Sequence, residues 1–454
     1  MRIVLGLATL FIFLAMIQPL VSTNGQTIQL ARGSGQTSRS TTKVITREVK
    51  REAPTVVQQT ANTVTEAPTG FDHGTNGYVS QADLDADRVV FEERDDLEKG
   101  LGPVYNAQSC AECHQSPATG GISQITVLRA GHLDSKGAFK DAPGGSLIND
   151  RAIDPSIQEV VPDSENIRTF RSSLNVLGDG YVEAIDDSTF TTISDEQSQK
   201  TGGFIKGEVV WVQILEDPGL WRVGRFGWKD QHASLLSFSG DAYLNEIGIT
   251  NRLFKTENTS LGRSVAPWDT VSDSGPSGED KDNDIDAFAD FMRGTKPPSR
   301  DSSLYNTSDA KTGEKLFDQV GCSICHIATL PTASPAKLYG DKSKGQPALI
   351  HGITQAQANT LGYKNIHPFS DFLLHDVGTG DGIVQNGGQI TAKKMRTAPL
   401  WGLRTHNRYM HDFQTLTLND AVLRHGGEAT QVIDAFTHLS SADQKRLIAF
   451  LRCL

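Results

Sequence analysis

Apolar residues recur at helical spacing in four stretches of this chain, and these stretches bracket two long segments. In SDAKTGEKLFDQV, residues Ala310, Gly313, Leu316, Phe317 and Val320 fall on one face and predict a short amphipathic helix. In SSADQKRLIAFLRCL, Leu447, Ile448, Leu451 and Leu454 form a stripe, opened by a capping-box pattern at Ser441 and Gln444. DNDIDAFADFMRGTKPP repeats the theme with Ile285, Phe288, Ala289 and Met292, and Pro297 and Pro298 stop that helix. ADLDADRVVFEERDDLEKG supplies the fourth. A helix at the start and a helix at the end therefore frame each of two domains, residues 71–300 and 301–454, with the boundary near 297–305.

The rhythm changes inside the first domain. In GEVVWVQILEDPGLWRVGRFGW, Val, Trp and Ile alternate on either side of EDPG, which predicts a β-hairpin within an inserted segment. The expected fold class is mainly α. At the other extreme of pattern, Ile3 to Val21 is an apolar run behind Arg2, the layout of a secretory signal over residues 1–22. Its length is also near the lower limit for an uncleaved membrane tether. Residues 23–70 hold many Thr, Ser and Gln and no aromatic residue before Phe71, so they predict a flexible linker, with folded sequence beginning near Phe71. The protein is expected to be periplasmic or otherwise exported.

Charge narrows the partners. With 54 acidic against 43 basic residues the net charge is -11, which argues against nucleic acid and suits a basic partner such as a small cationic electron carrier. The acidic run GEDKDNDID lacks the turn glycine and closing glutamate of a calcium loop, and reads instead as a solvated helix N-terminus.

Four of the five cysteines form two CxxC pairs, each followed at once by histidine: Cys110, Cys113 and His114 in CAECH, then Cys322, Cys325 and His326 in CSICH. Two thioether-forming cysteines with an adjacent iron-binding histidine are what a c-type haem needs. Attachment of that kind is made outside the cytoplasm, which agrees with the export signal. A single zinc site built from both pairs would have to span about 200 residues and would leave both histidines idle. A thioredoxin-like disulfide expects a βαβ setting, which neither copy has. The sequence thus predicts two cytochrome c-like domains carrying two covalently bound haems. Cys453, the fifth cysteine, reads as an incidental helix residue.

The second axial position separates a carrier from an enzyme: a carrier fills it, while an enzyme acting on a small oxidant leaves it open or weakly filled. No methionine lies between His114 and Phe291, and Met292 belongs to an apolar stripe. The first haem is therefore open on its far side or capped by His132 or His232. For the second, the candidates are Met395, Met410, His411 and His425.

GLGPVYNAQSCAECHQSPATGG, HPFSDFLLHDVGTGDG, MRTAPLWGLRTHNRYMHDFQTLTLNDAVLRHGGEA and LIAFLRCL together resemble the bacterial di-haem oxidoreductases of thiol-oxidoreductase and peroxidase type, over roughly residues 71–454. The resemblance implies unequal haems, one relaying an electron and one meeting peroxide. It also implies a redox partner, such as a small cytochrome or a cupredoxin-like donor, and a small-molecule oxidant. It places the distal ligand of the second haem at His425, where these peroxidases usually have methionine, with Met410 as the alternative. Glu183 corresponds to the family's acid/base carboxylate, and Trp228 or Trp401 to its intervening tryptophan. Arg396 and Arg404 are candidates for the haem propionates, and His411 for a structural hydrogen bond near the haem edge. The alternative function is a non-catalytic electron-transfer cytochrome with both irons six-coordinate.

Overall fold

The computed structural model describes residues 63–454 except Lys342 and Lys344. The expected signal segment and most of the expected linker lie outside the described residues. Order begins earlier than Phe71, however: Thr65–Glu66 pairs in parallel with Lys364–Ile366, and Ala67 is buried in the main core.

All four predicted helices are present. Gln81–Glu92 is capped by Ser80 and packs on Asp284–Gly294, where Phe91 meets Phe291 with ring centroids 4.7 Å apart. Ser308–Val320 buries the five residues of its predicted stripe and crosses Ser441–Leu451. The crossing is close enough that a Cβ on Gly313 would lie 1.9 Å from the Arg446 carbonyl oxygen. The cap of the last helix is Ser440, one residue earlier than predicted, because its hydroxyl accepts the Asp443 N–H at 3.1 Å. Phe450 takes the buried place expected of Ile448. Of the acidic run, Asp284 and Asp286 do occupy a first helical turn, but Glu279 and Asp280 are buried rather than solvated. Cys453 is buried, and its thiol donates to the Ala449 carbonyl at 3.2 Å.

The insertion holds more strand than a hairpin. Helix makes up 34% and strand 14% of the structure, so the class is mixed rather than mainly α, with several small sheets. The predicted hairpin forms between Trp211–Gln213 and Trp221–Val223. Its buried Arg222 and Arg225, the latter from the segment just beyond, donate to the Ile185 carbonyl at 2.9 and 2.8 Å and so anchor it to the chain after Glu183. The larger sheet centres on Thr126–Leu133, paired antiparallel with Ile167–Ser172, Phe139–Asp141 and Leu147–Ile148. Periodicity missed it because its strands are short and none alternates cleanly between apolar and polar.

Core packing crosses the expected boundary. Leu330, Ile366, Phe372 and Trp401 join the cluster that also holds Phe91, Tyr181 and Phe288, while a second cluster gathers Leu316, Phe317, Phe436, Leu447 and Phe450.

Candidate haem sites

Each CxxCH motif opens onto its own cavity. Cys110–Cys113 is a single helical turn, and Cys110, Cys113 and His114 line an apolar space with Phe91, Phe288 and Met292. His114 also lines a neighbouring polar cavity of about 470 Å³. Cys322, Cys325 and His326 line a third, predominantly apolar cavity with Leu400, Leu403 and Leu447. The two cysteine pairs therefore do not share a site, and all five cysteines are free thiols. Burial pushes the thiols of Cys113 and Cys322 up to about 12.

The histidines have the electrical state that an iron ligand requires. Burial brings His114 and His326 down to about 4, and burial also lowers His425, so all three imidazoles are neutral at pH 7. His326 donates Nδ1–H to the Phe369 carbonyl at 2.9 Å, which leaves Nε2 as its free nitrogen. His425 does the same toward Ala421, at 2.8 Å, and lines the same cavity. The buried Nδ1 of His114 has no protein partner. An apolar slot, a pair of thiols and neutral imidazoles with uncommitted nitrogens fit a haem in each site.

Met410 and Met395 also line the His326 cavity, so the structure brings together every sequence candidate for that second axial position. His411 lies there too; its carbonyl accepts the Ser172 N–H at 2.7 Å, and its ring stands edge-on to Trp228 at 5.9 Å. At the first site the candidates separate. His132 is absent from the cavity wall and pairs with Glu165 at 2.7 Å, whereas His232 lines the polar cavity.

Trp228 and Arg396 line both the His326 cavity and the polar cavity, and so stand on the divide between the sites. Trp228 is held there by donating Nε1–H to the Ser172 carbonyl at 2.7 Å. Arg396 is fixed by donating Nε–H to the Gly227 carbonyl at 2.8 Å. Trp401 lines neither cavity and is a core residue. Arg404 likewise lines neither cavity: it donates to the Ser299 and Leu454 carbonyls and lies over Phe71.

Glu183 does not take the expected place either. It is 1% exposed, lines neither cavity, and receives Arg293 through both oxygens at 2.7 and 2.9 Å, with the Leu235 N–H at 2.8 Å. The buried guanidinium has captured it as a structural ion pair. One turn earlier on the same helix, Asp179 does line the polar cavity. Burial raises Asp179 to about 7, with Arg396 opposing and Glu183 reinforcing. Sequence reasoning also missed His375, whose Nε2 lies 2.9 Å from Asp371 and Nδ1 2.8 Å from Glu428 at the wall of the His326 cavity. The DxxxH spacing in SDFLLHD was the signal available for it.

A family model described as "Di-haem oxidoreductase, putative peroxidase" matches residues 156–454. The chain belongs to the di-haem oxidoreductase family. The matched stretch includes the second CxxCH motif and begins after the first. As a di-haem oxidoreductase the protein is an enzyme with two haems. No curated protein matches the chain in sequence. Among solved structures, hydrazine synthase of Kuenenia stuttgartiensis is 16% identical, covering 93% of this chain and 100% of its own, with a TM-score of 0.35. A MauG-like protein associated with microbial copper homeostasis is 15% identical, covering 87% and 95%, also at 0.35. Neither likeness is strong enough to add to what the family match establishes.

Proposed function

We propose that this di-haem oxidoreductase reduces hydrogen peroxide or a related small oxidant at the site of Cys110, Cys113 and His114, with electrons relayed from the site of Cys322, Cys325 and His326. The observation that carries the reading is the asymmetry of the cavities. The His326 cavity is apolar and offers a second neutral imidazole, His425. His114, besides the apolar space it shares with Cys110 and Cys113, reaches a roomy polar cavity, whose other histidine among the described residues, His232, has its Nε2 3.2 Å from the Asp241 carboxylate.

When bound as thioether-linked c-type groups, the haems supply electron storage at one site and oxidant activation at the other. The protein's part is placement. His114 and His326 would each hold a haem iron through an imidazole nitrogen, and His425 would offer a further neutral imidazole at the second site. Arg396 suits a propionate from either side, since its guanidinium stands where the cavities meet. Trp228 fills the space between them as an aromatic bridge. Asp179, raised to about 7, can take up the oxidant's proton at neutral pH. The net charge of -11 favours a basic electron donor, such as a small cytochrome or cupredoxin-like protein, and covalent haem attachment accords with export.

Electron paramagnetic resonance of the oxidised holoprotein, before and after hydrogen peroxide, tests the reading. One low-spin iron and one iron that is high-spin or becomes peroxide-reactive is expected. Two low-spin irons indifferent to peroxide would make the protein an electron-transfer cytochrome instead.

A further inference from the structure

The segment from Phe226 to His232 closes on itself through an antiparallel bridge. The His232 carbonyl accepts the N–H groups of Arg225 and Phe226 at 2.9 and 3.0 Å, and Gln231 N–H returns to the Phe226 carbonyl at 2.8 Å. Gly227 and Asp230 take left-handed backbone conformations, φ 77° and 51°, to make so tight a turn. This rigid loop has two products. It sets Trp228 on the divide between the haem cavities and His232 in the wall of the polar one.

Helix Leu235–Ala242 completes the arrangement. Asp241 reaches His232 Nε2 at 3.2 Å and accepts the Asn245 side-chain N–H at 2.9 Å, while the Phe238 ring lies 5.9 Å from the imidazole. Burial opposes charge on Asp241, but His232 outweighs it and holds the carboxyl below its ordinary range. Asp241 thus stays anionic at neutral pH and accepts the hydrogen bond from Nε2–H, which fixes the tautomer and leaves Nδ1 as the working nitrogen. Asp179 and Glu246 face the cavity from other helical turns, with Asp141 and Glu159 from the strand side and the loops. Arg129, Arg171 and Arg396 are its cations. Carboxyl groups thus outnumber guanidiniums in the cavity wall that His232 shares.

We propose that His232, oriented by Asp241, delivers protons to the departing oxygen of the oxidant; this rests on the peroxidase reading above. With hydrogen peroxide, the O–O bond breaks and two electrons and two protons are consumed, giving two waters. The electrons come from the external donor protein. His232 Nδ1 first takes a proton from water in the cavity and passes it to the departing oxygen, while Asp241 holds the Nε2–H throughout. Asp179 handles the proton of the incoming peroxide, so the two groups have separate tasks. Proton and electron delivery would then be tied to one loop.

Holoprotein and its His232→Ala and Asp241→Asn variants are mixed with hydrogen peroxide across the neutral pH range, and the resting iron signals are recorded for each. The proposal expects His232→Ala to react at least ~10²-fold more slowly with both resting signals unchanged, and added imidazole to restore part of the rate. Asp241→Asn should react at an intermediate rate with a displaced pH profile. A His232→Ala protein that reacts as fast as wild type overturns the proposal. So does one whose first haem turns from low-spin to high-spin and reacts faster, because His232 would then be an axial ligand. If wild-type protein itself ignores peroxide, the underlying peroxidase reading falls and takes this role with it.

Discussion

His326 and His425 line one cavity, and each ties its Nδ1 to a backbone carbonyl, leaving two uncommitted Nε2 nitrogens at that cavity. Replacing His425 with alanine should therefore change the paramagnetic signal of the second haem alone. His425→Met should raise that haem's reduction potential in a spectroelectrochemical titration, since thioether ligation favours the reduced iron. An unaltered signal in His425→Ala would hand the position to Met410.

The Glu183–Arg293 pair makes a different forecast. Glu183→Gln leaves the buried Arg293 guanidinium with only the partly exposed Asp290, at 3.3 Å, as countercharge, so the urea midpoint should fall by the equivalent of about 3 kcal/mol. The folded fraction should still react with peroxide, because Glu183 lines neither cavity, but with its pH profile displaced to lower pH, because Glu183 helps to hold Asp179 up. A large loss of rate in fully folded protein would restore Glu183 to the acid/base role.

The contrast between Glu183 and Asp179 shows what the sequence could carry. Residues fixed by local chemistry were legible: both CxxCH motifs, the five buried positions of Ser308–Val320, and the hairpin around EDPG. Positions that depend on which long-range partner arrives first were not. Nothing local in DGYVE says that Arg293 will claim Glu183 and leave Asp179 at the cavity. Arg404 likewise looks like a propionate clamp until the last residue of the chain folds back beside it. His375 was hidden for the same reason, since Glu428 approaches it from over fifty positions away.

Gly313 is where two helices meet, so its hydrogen is part of the fold. A Cβ there would sit 1.9 Å from the Arg446 carbonyl oxygen, and backbone cannot yield as a flexible side chain does. Gly313→Ala should cost ~3 kcal/mol in denaturant unfolding despite alanine's better helix propensity. A stabilised variant would mean that the helices cross elsewhere.

Trp228→Phe separates structure from electron delivery. Loss of the bond to the Ser172 carbonyl should reduce stability by only about 1 kcal/mol. Electron transfer between the haems, followed after flash reduction of one of them, should slow while both resting spectra stay the same. Equal slowing in Trp401→Phe would argue for a general loosening of the core rather than a path through Trp228.

His375 links the His326 site to pH. Burial works against its charge, but Asp371 first, with the Glu428 carboxylate also beside it, holds the imidazole well above its ordinary value. A raised folded pKa stabilises fully below the unfolded value of about 6.5, and the stabilisation is lost as pH rises through the folded value. Asp371 and Glu428 are lowered despite their burial, so their contribution is present above the ordinary carboxylate range and is lost as pH falls through the depressed values. The stability difference between wild type and His375→Gln should therefore be greatest between these limits, at ~3 kcal/mol. It should shrink toward strong acid as the carboxylates protonate, and again in the alkaline range as the imidazolium loses its proton. Denaturant unfolding of both holoproteins over that range measures it; a difference independent of pH would mean that His375 is neutral and held by hydrogen bonds alone.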